Sequence, residues 1–320
     1  MAQSESTFVA GAALAANFLI AVAKYGAAFF TGSSAMMSEA IHSTVDCGNE
    51  VLLLIGVHRS KRPPDESHPF GYGMEVYFWS LLMAVMLFAL GAGASLLDGI
   101  HQIRHPEHIH KVWVSYCVLG FAALAEGTSW SISLRSLRRS QKGKRLYAAI
   151  RRSKDPSVFA VLFEDSAALL GICAAALGIG LSELTGHPFW DGAGSLVIAA
   201  LLALAGLLLA RECHGLLTGE SALPELREDI VQRVTHRPGI AKLGQFATLQ
   251  IGPEAVLVTL SLDFEDHLSS SDVERIVSDI ERELKGRHQQ IARLFVEAQS
   301  LNRTPSGSRS ARTLLSSSPS

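Results

Sequence analysis

The sequence predicts an α-helical membrane protein: six transmembrane helices, then a small α+β domain of element order αββαβ. Three observations carry this. Charged residues make up only 18% of the 320 positions and hydrophobic ones 48%, whereas soluble domains carry roughly 25% charge. The apolar residues gather into runs long enough to cross a bilayer. After Arg211 the pattern changes to short alternating and amphipathic segments. The composition excludes a disordered chain, which needs low hydrophobicity and high charge. A formal net charge of -2 gives no footprint of a nucleic-acid binder, so no nucleic acid is expected as a partner. Cys47, Cys117, Cys173 and Cys213 form no CxxC pair, so neither a zinc ribbon nor a disulfide framework is expected.

The first run extends from Phe8 to Phe30 with Lys24 as its only charged residue. About 20 apolar residues suffice to span the hydrocarbon core as a helix. No basic stretch precedes the run, so it reads as a membrane helix and not as a cleaved signal peptide. Further runs cover roughly 34–57, 76–98, 112–134, 157–182 and 191–210. Six spans put both chain ends on one side. The second-to-third connection carries Arg59, Lys61 and Arg62. The fourth-to-fifth is basic from Arg135 to Lys154, while the opposite loops carry only Arg104 and Lys111. By the positive-inside rule both termini are expected in the cytoplasm. The same charge would also suit anionic membrane lipid.

The transmembrane domain is expected over 1–215 and the cytoplasmic domain over 216–301. Pro224 opens a helix with Leu226, Ile230, Val231 and Val234 on its apolar face. A strand follows near 246–251, a turn at Gly252-Pro253, and a cleanly alternating strand over 256–264. Ser271 and Glu274 form a capping-box pattern before a helix ended by Gly286, and a last strand fits 291–297. The Ser-rich tail 302–320 is expected to be disordered.

The second run holds Glu39, His42, Asp46, Asn49 and Glu50, whose directions fall within about 100° on a helical wheel. A charge at mid-bilayer costs roughly 2.5–3.5 kcal/mol on insertion scales, so this stripe faces the bundle interior or a wet cavity. His42 and Asp46 lie one turn apart on one face, and an imidazole and a carboxylate at that spacing grip a divalent ion. A tetrahedral site needs further ligands, and the fifth run offers Glu164 and Asp165. Adjacent residues are about 100° apart on a helix, so the two acids are expected to differ in role. Glu126 in the fourth run either lines the path or pairs with an interior polar group. The competing readings are inter-helix hydrogen bonding alone, or a proton path without metal.

The run from Thr31 to Asp46, TGSSAMMSEAIHSTVD, and the run from His68 to Glu75, HPFGYGME, resemble the cation diffusion facilitator family of metal transporters. With the six-span layout and the αββαβ domain, the resemblance covers about residues 8–300. Glu164-Asp165 in the fifth span resembles the branch containing zinc transporter 9 of animals and its bacterial relatives. The resemblance implies a homodimer that exports cytosolic Zn²⁺, or Mn²⁺, Fe²⁺ or Co²⁺, in exchange for protons, without a resident cofactor, at a mid-membrane site between the second and fifth spans. The bacterial cytoplasmic membrane is the expected location, with an organellar membrane as the alternative.

Carried over by position, the metal ligands are His42, Asp46 and Asp165. The family's fifth-span His position is Val161 here, which removes a nitrogen ligand and favours harder ions; Glu164 is the residue placed to compensate. Asp165 is expected in the cavity and Glu164 at its edge. Asp65 and His68 match a second metal site of some members, with Tyr72 in place of a His. The cytoplasmic-domain metal cluster is not expected, since its positions read Gly244, Ser261, Val296 and Ala298. His101, His105, His108 and His110 fall in an outward loop. Two rival functions remain at this level. One is an intramembrane metal-dependent hydrolase with Glu164 as base, although no HExxH is present. The other is a membrane metal sensor. A transporter implies no enzymatic activity.

Overall fold

The computed structural model describes residues 2–107, 109–140 and 154–300. His108, the middle of the basic connection and the tail 302–320 lie outside the described residues. The chain divides into two units, Met1–Gly215 and Leu216–Ser320.

Among the described residues the first unit consists of long helices: α1 (Ala2–Thr31), α2 (Ser34–Ser60), α3 (Glu75–Arg104), α4 (Val112–Ser140), α5 (Pro156–Thr185) and α6 (Phe189–Leu217). α3 passes through a π-helical turn at Leu87–Ala92. The α1–α2 connection is tight because Gly32 takes φ +70°, a conformation open to glycine at little cost. Ser33 then caps α2, its hydroxyl accepting from Met36 N at 3.2 Å. A second cap comes from far along the chain. Asp191, in the first turn of α6, accepts from Ser33 Oγ and Ser34 N at 2.6 Å and from Ala35 N at 3.4 Å. A buried carboxylate thus sits at the positive end of α2.

α2 packs against α1, α3 and α5, and α4 packs against α1 and α5. The polarity of this unit is inverted. Ser38, Glu39, His42 and Asn49 are buried, whereas Phe29 is 77% exposed, Leu124 72% and Leu184 84%. Outward apolar surface on this scale belongs against hydrocarbon and not water. Four helices are long and apolar enough to cross a membrane by themselves: α3, α5, α6 and the Val112–Arg135 part of α4. The described apolar part of α1 is the shorter Asn17–Thr31. α2 falls outside the set, since Glu39, Asp46 and Glu50 interrupt it.

The second unit contains α7 (Pro224–Thr235), β1 (Ile240–Gly252), β2 (Ala255–Phe264), α8 (Ser270–Arg287) and β3 (Ile291–Ala298). The sheet order is β1-β2-β3, with β1 antiparallel and β3 parallel to β2. The order of elements is the αββαβ read from the sequence. The alternation of β2 sends Val256, Val258, Leu260 and Leu262 into a core with Leu226, Ile230 and Val234 of α7 and Ile280 and Leu284 of α8. One helical layer therefore covers one sheet face. Charge joins the two helices. Asp229 of α7 accepts from Arg233 Nε at 2.9 Å and meets His288 Nε2 at 2.7 Å, while Glu283 of α8 accepts from Arg233 and Arg237 at 2.8 Å. The bond from Arg233, and then that from His288, holds the Asp229 carboxyl down at about 2.

The capping box differs from the sequence expectation. It is formed by Ser269 and Asp272, not by Ser271 and Glu274: Asp272 N donates to Ser269 Oγ at 3.3 Å and Ser269 N to Asp272 Oδ2 at 3.1 Å. Both pairs share the three-residue spacing, and the shorter Asp reaches back to Ser269 equally well, so the helix starts earlier. It also runs past Gly286 to Arg287, where His288 N bonds Leu284 O at 2.9 Å. Ser269→Ala is expected to cost about 1 kcal/mol. The readout is roughly five-fold faster hydrogen exchange of the first-turn amides of α8 in the full chain; unchanged exchange would mean that the box does not hold the helix start.

Candidate functional site

α2 delivers the polar stripe to the interior as the helical wheel requires. His42 Nδ1 lies 3.2 Å from Asp46 Oδ1, the two one turn apart. Both ring nitrogens of the buried His42 are without a hydrogen-bond partner among the described residues, as are Asp46 Oδ1 and Asn49 Oδ1. A buried imidazole with nothing to bond is costly, so these atoms converge without satisfying one another. α5 faces them with Glu164, whose Oε1 accepts from Asn49 Nδ2 at 2.8 Å. The Glu164 carboxyl stands close enough to that of Asp46 for the two acids to influence each other.

The structure turns the adjacent acids of α5 the opposite way from the sequence expectation. Asp165 is buried but directed at α4, accepting from Ser129 Oγ at 2.8 Å. The cause is the packing of α5 between α2 and α4: the rotation of about 100° between neighbours gives one acid to each. Glu50 is aimed at α1, accepting from Asn17 Nδ2 at 2.7 Å. Glu126 is half-buried and lies within electrostatic reach of Lys24, Asp46 and Asp165.

One ion pair was missed from the sequence. Lys24 of α1 and Glu39 of α2 are wholly buried, with Nζ–Oε2 at 3.0 Å, and Lys24 Nζ also donates to Ser43 Oγ at 2.7 Å. The signal was present: a single charge in an apolar run requires an opposite charge on a neighbouring helix. Glu39 fits because residue 171 of α5 is glycine; a Cβ there would overlap Glu39 Oε1.

The α2–α3 connection brings Asp65, His68 and Tyr72 together in a different way. Asp65 Oδ1 accepts from His68 N and Ser67 Oγ, each at 2.7 Å, and Oδ2 from Tyr72 Oη at 2.6 Å. The His68 and Tyr72 rings lie 4.1 Å apart. The Tyr72 hydroxyl, then that of Ser67, keep the Asp65 carboxyl well below the usual range. Both oxygens are engaged in closing the turn, the pattern of an Asx turn.

The family model of the cation efflux transmembrane domain matches residues 11–218, all six helices of this bundle in large part. The chain belongs to the cation diffusion facilitator family. Among its relatives, the mitochondrial proton-coupled zinc antiporter SLC30A9 of Homo sapiens is 32% identical over 277 residues, covering 84% of this chain and 49% of that protein. Metal tolerance protein C4 of Arabidopsis thaliana is 30% identical over 258 residues, covering 80% of this chain and 56% of that protein. The cation-efflux pump FieF of Klebsiella pneumoniae is 26% identical over 291 residues, covering 90% and 91%. The chain thus spans about half the length of the first of these relatives. Membership in this facilitator family, with the apolar helices, makes the chain an integral membrane protein of a transporter family and not an enzyme.

Among the described residues, no three His, Cys, Asp or Glu side chains are gathered closely enough to hold a metal ion. His42 and Asp46 supply two such groups, and Glu164 reaches Asp46 from the other helix. In the second unit the positions Gly244, Ser261, Val296 and Ala298 lie on β1, β2 and β3, where the Ser261 hydroxyl bonds Gln299 at 2.8 Å. Of the histidines around the α3–α4 connection, His101 and His105 stand at the end of α3 with their rings 5.2 Å apart.

Proposed function

We propose that the chain exports a divalent cation, Zn²⁺ first, in exchange for protons through a mid-membrane site between α2 and α5. Mn²⁺, Fe²⁺ and Co²⁺ are the further candidate cargoes. The observation that carries this reading is His42, buried with both ring nitrogens unpartnered among the described residues and Asp46 Oδ1 at 3.2 Å. A purely structural imidazole would be hydrogen-bonded. In this reading His42 gives a nitrogen, Asp46 and Glu164 give carboxylate oxygens, and Asn49 Oδ1 is a neutral fourth donor. Asp165, held by Ser129, is the further acid beside these four donors, on the α4 side of α5. Nitrogen with oxygens accommodates zinc, and the excess of oxygen widens acceptance toward manganese.

The chemistry of binding supplies the coupling. A metal ion needs neutral imidazole and ionised carboxylates, so loading releases protons. Two acids facing each other across α2 and α5 favour holding a proton while the site is empty, and a cation takes that proton's place. Rocking of helices around a fixed site then exposes it to either side. The names of the relatives, a proton-coupled zinc antiporter and a cation-efflux pump, support the same reading. So does the basic character of the second-to-third and fourth-to-fifth connections, which favours six spans with both termini in the cytoplasm. The reading includes a homodimer in a lipid bilayer, with the bacterial cytoplasmic membrane as its location. Asp65 and His68 are left out of it, because the turn engages both oxygens of Asp65.

The test is metal flux in proteoliposomes under an imposed pH gradient. Zn²⁺ movement that follows the gradient, and collapses with it, is the expected result. Flux indifferent to the gradient would remove the exchange; no flux of any of the four ions would remove the transport reading.

A further inference from the structure

Among the described residues, Lys24 and Glu39 form the one ion pair in which both side chains are wholly buried. Both side chains are wholly buried, 3.0 Å apart, in helices whose lipid side is apolar. Such a pair is no bargain for stability, because the desolvation of two charges offsets their attraction, and apolar side chains of similar volume would hold the helices as well. Its placement is specific. Glu39 is three residues before His42, on the same face of α2. Oε2 and Ser43 hold the Lys24 ammonium, while Oε1 has no partner among the described residues and lies against Gly171, where a side chain would exclude it. The charge of Lys24 is felt at His42 and Asp46 as well as at Glu39. A second carboxylate thus stands one turn from the cargo ligands with one oxygen uncommitted, and a tethered cation occupies the other.

We propose that Lys24 is a tethered counter-cation that keeps Glu39 out of the cargo's coordination shell and thereby sets which divalent ions the site accepts. The proposal rests on His42 and Asp46 being the cargo site. Without Lys24, Glu39 carries an unbalanced negative charge and two available oxygens beside the ion. Added carboxylate oxygen favours hard cations over those that prefer nitrogen, so the site gains more for Mn²⁺ than for Zn²⁺. Lys24 acts through Glu39 and is a positioning residue.

The test uses the full chain in detergent, titrated calorimetrically with Zn²⁺ alone and with Mn²⁺ alone. Lys24→Met is expected to tighten Mn²⁺ by about ten-fold and Zn²⁺ by less than about three-fold, so that the ratio of the two affinities shifts. Glu39→Gln leaves an unpaired ammonium near the cargo and is expected to weaken both ions about ten-fold with the ratio unchanged. The double variant removes both charges and is expected to return both affinities to within about three-fold of the parent. A purely structural role would not move the ratio, so a folded Lys24→Met protein with the parental ratio overturns the proposal. If Lys24→Met does not fold, Glu39→Gln and the double variant decide: recovery in the double supports the proposal, and equal affinities overturn it. His42→Ala separates the two levels. If it binds Zn²⁺ as the parent does, the cargo site is misplaced and this proposal falls with it; if it loses binding, the Lys24 series stands or falls on its own.

Discussion

His42→Ala is expected to reduce Zn²⁺ flux in proteoliposomes to that of empty vesicles, and Asp46→Ala to do the same, while expression and elution volume stay near those of the parent. The reason for expecting an intact fold is specific. Neither ring nitrogen of His42 has a hydrogen bond to lose among the described residues. Truncation therefore strands no partner, and only the volume of the ring is given up, against the removal of two unsatisfied atoms. If His42 were only part of the packing, the variant would be as active as the parent, with at most the stability cost of the lost ring volume. Full flux in both variants would remove the α2 stripe from the transport path. The opposite failure, loss of folded protein, would show as aggregation on elution and is distinguishable from loss of flux.

Glu164→Gln is expected to weaken Zn²⁺ binding by at least about 100-fold, and Asp165→Asn by less than about 10-fold, the span over which metal sites respond to loss of an outer-shell group. Each change keeps the shape of the side chain and removes its charge. At Glu164 it removes an acid that is bonded to Asn49 and faces Asp46, and a glutamine cannot offer the cargo a second negative oxygen. At Asp165 the amide oxygen continues to accept from Ser129. Calorimetric titration of the two proteins gives the answer. Equal losses would mean that both acids reach the ion. A larger loss at Asp165 would mean that the loaded protein has α5 turned by about one residue step.

The order of elements, and the burial of the α2 stripe, were legible in the sequence for a physical reason. A polar stripe on a long apolar helix has few places to go, so Glu39, His42, Asp46 and Asn49 had to be interior. The alternation of β2 likewise left one choice of buried face. What stayed hidden depends on rotations and on partners distant in the chain. Which of Glu164 and Asp165 meets α2 is set by the azimuth of α5, and periodicity within one helix carries no information about that angle. The resemblance offered Asp65 and His68 as a second metal site, and the sequence did not show that donors from Ser67, His68 and Tyr72 engage both oxygens of Asp65. Lys24 was visible as an isolated charge, while its partner is fixed only when α1 lies against α2.

The cap that Asp191 places on α2 bears on how the bundle can move. The carboxylate holds Ser33 Oγ and the backbone amides of Ser34 and Ala35 in a buried setting, so the starts of α2 and α6 are clamped at one point. Turning α2 about its own axis would shear those bonds where no water is at hand to replace them. Swinging α2 about the clamp leaves them in place. The joint therefore acts as a fulcrum with a preferred degree of freedom. Displacement grows with distance from it, so the Asn49–Glu164 contact, farther down α2, travels more than His42 for the same swing. In the proposed exchange between open and closed states, the far half of the stripe would be the moving arm and the capped end the stationary one.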